Sequence, residues 1–195
     1  MSKVLCITNR SLAGTDFLRQ IEKIAAAGPE AVILREKDLS EKEYEELASK
    51  VSEICRKRQV PCIYHTYIMT AEKQKAGGIH LPLVQLREVY REAKERFLII
   101  GCSTHSVDEA LEAQSLGATY ITAGHVFQTD CKKGVPPRGL SYLKEVCSTV
   151  SIPVYALGGI DRINASQCLE AGAAGVCMMS PFMKSSNPAE LVNGV

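Results

Sequence analysis

The side chains best suited to proton transfer or metal binding in this sequence are its 4 histidines, His65, His80, His105 and His125. Each lies at or beside the end of a short apolar segment, where a parallel β-strand would present it to a ligand. Imidazoles move protons near neutral pH, and they bind metal ions when several donors converge on one point. Only Glu36 adds a carboxylate at such a segment end. The pattern therefore favours a site without a bound metal.

Two short turns near the end of the chain are suited to binding a phosphate. Gly158 and Gly159 follow one apolar segment, and Met179 and Ser180 end the next one. Glycine lets a ligand approach the backbone closely, and the first turn of a helix leaves N–H groups available for an anion. The four residues predict a phosphate site, whereas the alternative interpretation is that the glycines only form a turn.

A long polar loop, residues 125–139, follows the sixth apolar segment. Its length and its cationic residues are typical of loops that cover an active site. Lys132 or Arg138 could meet a phosphate or a carboxylate there. The alternative is a basic loop that is simply solvated.

Apolar segments with strand-like patterns alternate with helical patterns and must position these residues. The predicted strands are Val4–Thr8, Ala31–Arg35, Cys62–His65, Ile79–Leu81, Leu98–Ser103, Tyr120–Gly124, Val154–Leu157 and Val176–Met179. The predicted helices are Asp16–Ala27, Glu41–Arg58, Ile68–Ala76, Gln85–Arg96, Val107–Leu116, Leu140–Val150, Arg162–Ala171 and Pro181–Val192.

Eight such units in 195 residues predict an α/β protein, a single (βα)8 TIM barrel that forms one domain over residues 1–195. A doubly wound open sheet is the alternative fold. It is disfavoured because the segment after the first strand, Thr8-Asn9-Arg10-Ser11, lacks the expected Gly-x-Gly-x-x-Gly turn. Ser40–Glu43 and Ser106–Glu109 each predict a capping box at a helix start.

Composition excludes several classes of protein. The net charge is +1, which is too small to attract nucleic acid or an anionic membrane, and no apolar segment is long enough to span a bilayer. None of the 8 cysteines forms a Cys-x-x-Cys pair. Free thiols in apolar segments are typical of a reducing compartment, so we expect a cytoplasmic protein without disulfides.

Several motifs together resemble one family. They are Leu34-Arg35-Glu36-Lys37, Gly101-Cys102-Ser103-Thr104-His105-Ser106, the residue 125–139 loop and Ala156-Leu157-Gly158-Gly159-Ile160. The chain resembles thiamine phosphate synthase and its paralogue, the TenI-type thiazole tautomerase, over almost its whole length. The resemblance also implies a barrel fold.

The two paralogues differ at positions that suggest a choice between them. The synthase joins a pyrimidine pyrophosphate to thiazole phosphate with Mg²⁺, and its pattern has an Asn-Asp pair after strand 3 and an Asp after strand 4. Here those positions hold His65-Thr66 and a residue of Leu83-Val84-Gln85. Ile33 stands in place of a pyrimidine-reading Gln, and the Gly124-His125-Val126-Phe127 segment matches the tautomerase pattern.

The resemblance therefore leads us to expect a thiazole tautomerase of thiamine biosynthesis, an isomerase that needs no cofactor or metal. His125 would move the proton, and Arg35 and Lys132 would hold the substrate carboxylate. The partner would be a small phosphorylated thiazole, bound in a protein that could form a homo-oligomer. Further expected substrate contacts are Lys37, Ser103 and Thr129. The alternatives are a synthase with a degenerate Mg²⁺ site and a non-catalytic regulatory protein that binds a phosphate ligand.

Overall fold

Eight parallel strands close into a barrel in the order in which they occur along the chain. The structure is a computed structural model that describes residues 3–14, 16–132 and 134–195. Helices alternate with the strands. The predicted (βα)8 TIM barrel is therefore confirmed, and the alternative of an open doubly wound sheet is wrong because the sheet closes.

The strands agree with the predicted segments to within two residues at either end. The strands are β1 (Val4–Ile7), β2 (Ala31–Leu34), β3 (Cys62–His65), β4 (Gly78–Pro82), β5 (Ile99–Thr104), β6 (Tyr120–Gly124), β7 (Val154–Leu157) and β8 (Gly175–Met178). The helices are α1 (Phe17–Ala27), α2 (Glu41–Lys57), α3 (Ile68–Lys73), α4 (Leu83–Arg96), α5 (Val107–Ser115), α6 (Gly139–Thr149), α7 (Ala165–Glu170), α8 (Ser180–Lys184) and α9 (Ala189–Asn193). Short 3-10 turns cover Arg10–Leu12 and Asp130–Lys132.

The strands are apolar on both faces because side chains on either side of the sheet are buried. All four residues of β1, β2 and β8 are buried, and so are all five of β6. A parallel sheet covered by helices requires this pattern. Each helix turns a narrower apolar stripe inward, as α1 does with Ile21, Ile24 and Ala25.

The two predicted capping boxes have different outcomes. The Ser40 hydroxyl accepts the Glu43 N–H, and the Glu43 carboxylate accepts the Ser40 N–H at 2.9 Å. The box at α2 is therefore confirmed. At α5 the Ser106 hydroxyl accepts the Glu109 N–H at 3.0 Å, but the Glu109 carboxylate accepts the N–H of His105 at 2.6 Å. The second box is wrong in this detail because the carboxylate reaches one residue further back.

The segment predicted as one final helix over Pro181–Val192 is instead two short helices, α8 and α9. Ser185 is extended, with φ −72° and ψ 134°. Pro188 caps α9 and has no N–H to continue a helix from the preceding turn. The polar residues Ser185–Asn187 and the proline that follows them therefore divide the segment.

The chain divides into two compact units, which we call the first unit (Met1–His80 with Met178–Val195) and the second unit (Leu81–Cys177). One domain over residues 1–195 stays a prediction.

Seven cysteines in the described part of the chain are free, and five of these are buried. None of the described helices has the length and hydrophobicity needed to cross a bilayer.

Candidate functional site

In the first unit, a buried carboxylate joins the ends of β1 and β2. Glu36 is 3% exposed. Its oxygens accept the Thr8 hydroxyl at 2.6 Å and the Arg10 N–H at 3.0 and 3.1 Å. The Arg10 guanidinium adds a contact at 3.2 Å to Glu36 and a bidentate pair with Asp38, both contacts at 2.7 Å. We call Thr8, Arg10, Glu36 and Asp38 the Glu36 network, and it fixes the two loops to each other.

The predicted substrate contacts Arg35 and Lys37 flank Glu36 on the same loop. The Arg35 N–H donates to the Thr8 hydroxyl at 2.9 Å, so the Glu36 network also fixes the backbone of Arg35. Partial desolvation lowers the pKa of Lys37, and the Arg35 guanidinium adds to the effect. Because Thr8 and Arg10 occupy the oxygens of Glu36, this carboxylate does not neutralise the positive charges of Arg35 and Lys37.

Two histidines lie against each other where β3 pairs with β4. The rings of His65 and His80 are 5.6 Å apart between centroids and inclined by 19°. They are only 5% and 2% exposed. Burial, with the positive charges of Arg35 and Lys37 nearby, lowers the pKa of His80 to about 3. Burial, together with His80 and the same two cations, lowers the pKa of His65 to about 2.

A tyrosine from helix α2 joins the ends of β2 and β3. The Tyr44 hydroxyl donates to the Leu34 carbonyl at 2.7 Å and accepts the His65 N–H at 3.0 Å. Its pKa is raised because the phenol is buried.

The first unit also contains Met179 and Ser180, which are half-buried at the start of α8. With only five residues, α8 is too short to provide a strong helix dipole.

In the second unit, His125 follows the last residue of β6. Its side chain is buried, with 3% exposure. Nε2 lies 3.3 Å from the Val135 carbonyl, which can only accept, so the ring proton belongs on this nitrogen. Nδ1 is then an acceptor, and it is buried without a partner among the described residues. A ligand donor such as an amino or hydroxyl group would satisfy it.

The two predicted phosphate-binding glycines lie directly against the loop that begins with His125. A Cβ on Gly158 would meet His125 Cβ at 2.3 Å, and a Cβ on Gly159 would meet the Gln128 carbonyl oxygen at 2.3 Å. Both have positive φ, 100° and 66°. Their carbonyls accept the Phe127 N–H and the Asn164 side-chain amide. Among the described residues, no acceptor is recorded for the N–H of either glycine, so both can serve an anion.

The remaining predicted contacts of the second unit lie along β5 and in the loop after β6. Ser103 is half-buried, and its hydroxyl is 3.5 Å from that of Thr122. The Lys132 N–H donates to the Thr129 carbonyl at 3.2 Å, within the turn that Asp130–Lys132 forms. Lys133, in the same loop, lies outside the described residues.

The structure brings together some of the predicted residues and adds others. It sets His125 against Gly158, and it joins Arg35 to Lys37 on one loop. The sequence did not single out Thr8, Arg10 or Asp38, because the charges that meet in the Glu36 network are 26 to 28 residues apart. Likewise, 15 residues separate the stacked histidines, and their pairing follows from strand register alone.

Comparison with known proteins identifies the family. Residues 4–182 match the family model TMP-TENI, described as thiamine monophosphate synthase. A thiamine-phosphate synthase of Fusobacterium nucleatum subsp. nucleatum is 33% identical over 199 residues, covering 99% of this chain and 95% of that protein. One of Clostridium acetobutylicum is 34% identical over 189 residues, covering 94% and 88%. The solved thiamine phosphate pyrophosphorylase of Pyrococcus furiosus superposes with a TM-score of 0.85 and 28% identity, covering 98% and 92%.

These comparisons overturn the expected thiazole tautomerase. The similar proteins are named for synthesis of thiamine phosphate, so neither the tautomerase nor the isomerase class is supported. The prediction gave too much weight to a few altered positions at the ends of β3, β4 and β6. The expectation of an enzyme is confirmed at the level of the family. With a family match over most of its length and relatives that cover nearly all of it, this chain belongs to the thiamine monophosphate synthase family.

Proposed function

We propose that this protein is a thiamine-phosphate synthase, a transferase that joins a pyrimidine diphosphate to thiazole phosphate. The observation that carries the proposal is the similarity to synthases over at least 94% of the chain at 33–34% identity. In this reaction a carbon–nitrogen bond forms to the thiazole as the carbon–oxygen bond to the diphosphate breaks. An enzyme for it must neutralise a departing diphosphate and hold a second phosphorylated molecule.

In the first unit, Arg35 and Lys37 are suited to the diphosphate. Neither forms an ion pair with any described residue, so their charges are available to a ligand. Guanidinium and ammonium groups placed where negative charge develops on a leaving group lower the barrier to its departure. Arg35 therefore has a different role from the carboxylate contact that the tautomerase prediction gave it.

In the second unit, the N–H groups of Gly158 and Gly159 are suited to the phosphate of the thiazole. Backbone donors without protein acceptors bind phosphate oxygens at little cost in reorganisation. The buried Nδ1 of His125 would accept a hydrogen bond from a substrate donor beside them. Contributions from Met179, Ser180, Ser103, Thr129 and Lys132 stay predictions.

The Mg²⁺ ion that the synthase pattern implies does not fit the residues of this chain. Mg²⁺ prefers oxygen ligands and is usually held by one or two carboxylates together with phosphate. The ends of β3 and β4 carry His65, Thr66, Leu83 and Gln85, none of which is a carboxylate. Among the described residues, no group of three or more His, Cys, Asp and Glu side chains could hold a metal ion. The proposed chemistry is therefore argued from the side chains alone.

The proposal is tested by incubating the purified protein with pyrimidine diphosphate and thiazole phosphate. We expect thiamine phosphate and inorganic pyrophosphate in equal amounts, measured by chromatography and by a coupled pyrophosphate assay. Reactions that lack either substrate serve as controls and should give neither product. If both substrates bind and no thiamine phosphate forms, the synthase proposal is wrong, and the alternative of a phosphate-binding regulatory protein takes its place. A cytoplasmic location and a homo-oligomer stay predictions.

A further inference from the structure

The stacked histidines lie beside the positions where the synthase pattern has metal-binding carboxylates: His65 stands at the Asn of the Asn-Asp pair, and His80 lies in β4, ahead of Leu83–Gln85. His65 pairs in register with His80, and the rings stack at 5.6 Å. The Thr66 N–H donates to the His80 carbonyl at 3.1 Å, which holds the turn after β3 against β4. An ordered pair of imidazoles therefore lies next to the positions that lack carboxylates.

The orientation of this pair follows from its neighbour on β3. The Tyr64 hydroxyl donates to the Gln74 side chain at 2.6 Å, so Tyr64 faces the helix layer around α3. Successive side chains of a strand point to opposite faces, so His65 points away from that layer. Arg35 follows Leu34, which pairs with Tyr64, and thus comes level with His65 on the adjoining strand.

The proton of the His65 ring is assigned from the hydrogen bond that the ring makes with the side chain of Thr66. The ring is neutral at pH 7, since burial lowers its pKa to about 2. Nδ1 contacts the Thr66 hydroxyl at 2.5 Å. We assign the Thr66 hydroxyl as the donor in this contact, so that Nδ1 accepts and the proton is placed on Nε2. In the described part of the chain no partner is recorded for His65 Nε2, which is therefore an N–H donor available to an anion.

We propose that Arg35, Lys37 and the neutral His65 imidazole bind the diphosphate group directly and replace Mg²⁺ in this protein, an inference that rests on the proposed synthase function. The two cations neutralise the charge, and His65 Nε2–H donates to a phosphate oxygen. His80 packs against the His65 ring and restricts its rotation, so it acts as a positioning residue. Glu36 does not compete for the cations, because Thr8 and Arg10 occupy its oxygens.

The proposal is tested by calorimetric titration of the full chain with inorganic pyrophosphate, in EDTA and in Mg²⁺. We expect binding in EDTA, and Mg²⁺, which itself chelates pyrophosphate, should not tighten it. His65→Leu should weaken binding about tenfold or more, as expected for one lost hydrogen bond to a charged ligand. His65→Gln, whose amide can still donate, should recover much of that loss. Tyr64→Phe, on the opposite face of the same strand, is the matched control and should bind like wild type.

A second variant tests the inference in the opposite direction, by restoring a metal-binding pair. His65→Asn combined with Thr66→Asp installs the Asn-Asp pair of the synthase pattern, and its pyrophosphate binding should become tighter when Mg²⁺ is added. Wild-type binding that requires Mg²⁺ or another stoichiometric metal would overturn the proposal, as would unchanged affinity in His65→Leu.

The assay for thiamine phosphate separates the two proposals. Turnover that needs Mg²⁺ supports the synthase and refutes metal-free diphosphate binding. If pyrophosphate binds without metal but no thiamine phosphate forms, the synthase proposal is refuted. Arg35, Lys37 and His65 would then form an anion-binding site that does not serve this reaction.

Discussion

The strand ends of the two units are held in different ways. In the first unit, the loops after β1 and β2 are joined by side-chain charge, with the Glu36 carboxylate accepting three hydrogen bonds from Thr8 and Arg10 besides its contact with the Arg10 guanidinium. In the second unit, the loops after β6 and β7 are joined by the backbone. The Val126 N–H donates to Leu157 and the Phe127 N–H donates to Gly158, at 2.9 and 3.0 Å.

This difference determines which changes each region tolerates. A backbone contact depends on the absence of a side chain, so the second unit is sensitive to added volume at its glycines. A charge network depends on the partners of a buried carboxylate, so the first unit is sensitive to lost charge. Its buried histidines also make it sensitive to pH. The following predictions test this contrast, beginning with the largest expected effect.

Gly158→Ala should lower the free energy of unfolding by about 4 kcal/mol. Alanine is strained at the positive φ of this position, and its Cβ would also collide with the His125 side chain. The new Cβ would lie 2.3 Å from His125 Cβ. Chemical denaturation followed by circular dichroism measures the change. Gly28→Ala is the matched control, with φ 72° and no atom within 4 Å of the new Cβ. It should cost about 1 kcal/mol. Equal losses in the two variants would show that the collision with His125 does not add to the loss of stability.

Glu36→Ala should lower the free energy of unfolding by about 3 kcal/mol, since it leaves the Thr8 hydroxyl and the Arg10 N–H without their acceptor. Glu36→Gln keeps the shape and one acceptor oxygen, so its loss should be intermediate. Urea titrations of both variants provide the measurement. A change below about 1 kcal/mol in Glu36→Ala would mean that charge does not hold this loop.

Acid should destabilise the protein through the buried histidines of the first unit. The folded-state pKa values of His65 and His80, about 2 and about 3, lie below the ordinary value of 6.5. The unfolded chain therefore binds protons below pH 6.5 that the folded chain does not, and stability falls as pH falls from 6.5 towards 3. Each histidine contributes up to about 1.4 kcal/mol per pH unit.

The comparison of His65→Gln with wild type isolates one of these contributions. The decline in unfolding free energy between pH 6.5 and pH 4 should be shallower in the variant, as measured by urea titration at each pH. Tyr64→Phe retains both histidines and should follow the wild-type slope. Parallel declines in wild type and His65→Gln would show that His65 is not buried as a neutral group.

The smallest effect is expected at Asp38, whose side chain is 63% exposed in its pair with Arg10. Because solvent and salt screen such a pair, Asp38→Asn should change stability far less than Glu36→Ala. Thermal unfolding at low and high salt provides the measurement. The small difference between this variant and wild type should disappear at high salt, and a large salt-independent loss would assign Asp38 a structural role.

The order of elements could be predicted because it depends on local patterns. The segment Ala31–Leu34 is apolar at every position and is a strand buried on both faces. Contacts between distant residues could not be predicted in this way. Glu36 gave no sign that Arg10 would engage it, since the contact depends on the register of β1 with β2. The division between α8 and α9 differs from the single predicted helix, although the polar residues Lys184–Asn187 and the proline that follows them mark it in the sequence.

Function was harder to predict than fold for a related reason. The altered residues at the ends of β3 and β4 predict the loss of a reaction, whereas the similar proteins are named for that reaction. A missing carboxylate says which ligand is absent from one position. It does not say which other groups are near a ligand at that place, and in a folded chain such groups can come from a neighbouring strand, since Arg35 at the end of β2 lies near enough to lower the pKa of His65.

The Tyr44 hydroxyl has a consequence for the order in which the chain is assembled during synthesis. Its two hydrogen bonds reach only 10 and 21 residues along the chain, to Leu34 and to His65. Strands β2 and β3 and the helix between them therefore contain both partners of this hydroxyl. By contrast, the Gln20 side chain donates to the Phe182 carbonyl, 162 residues away. The ends of β2 and β3 can form once residue 65 has been made, whereas the contact of Gln20 with α8 requires residue 182.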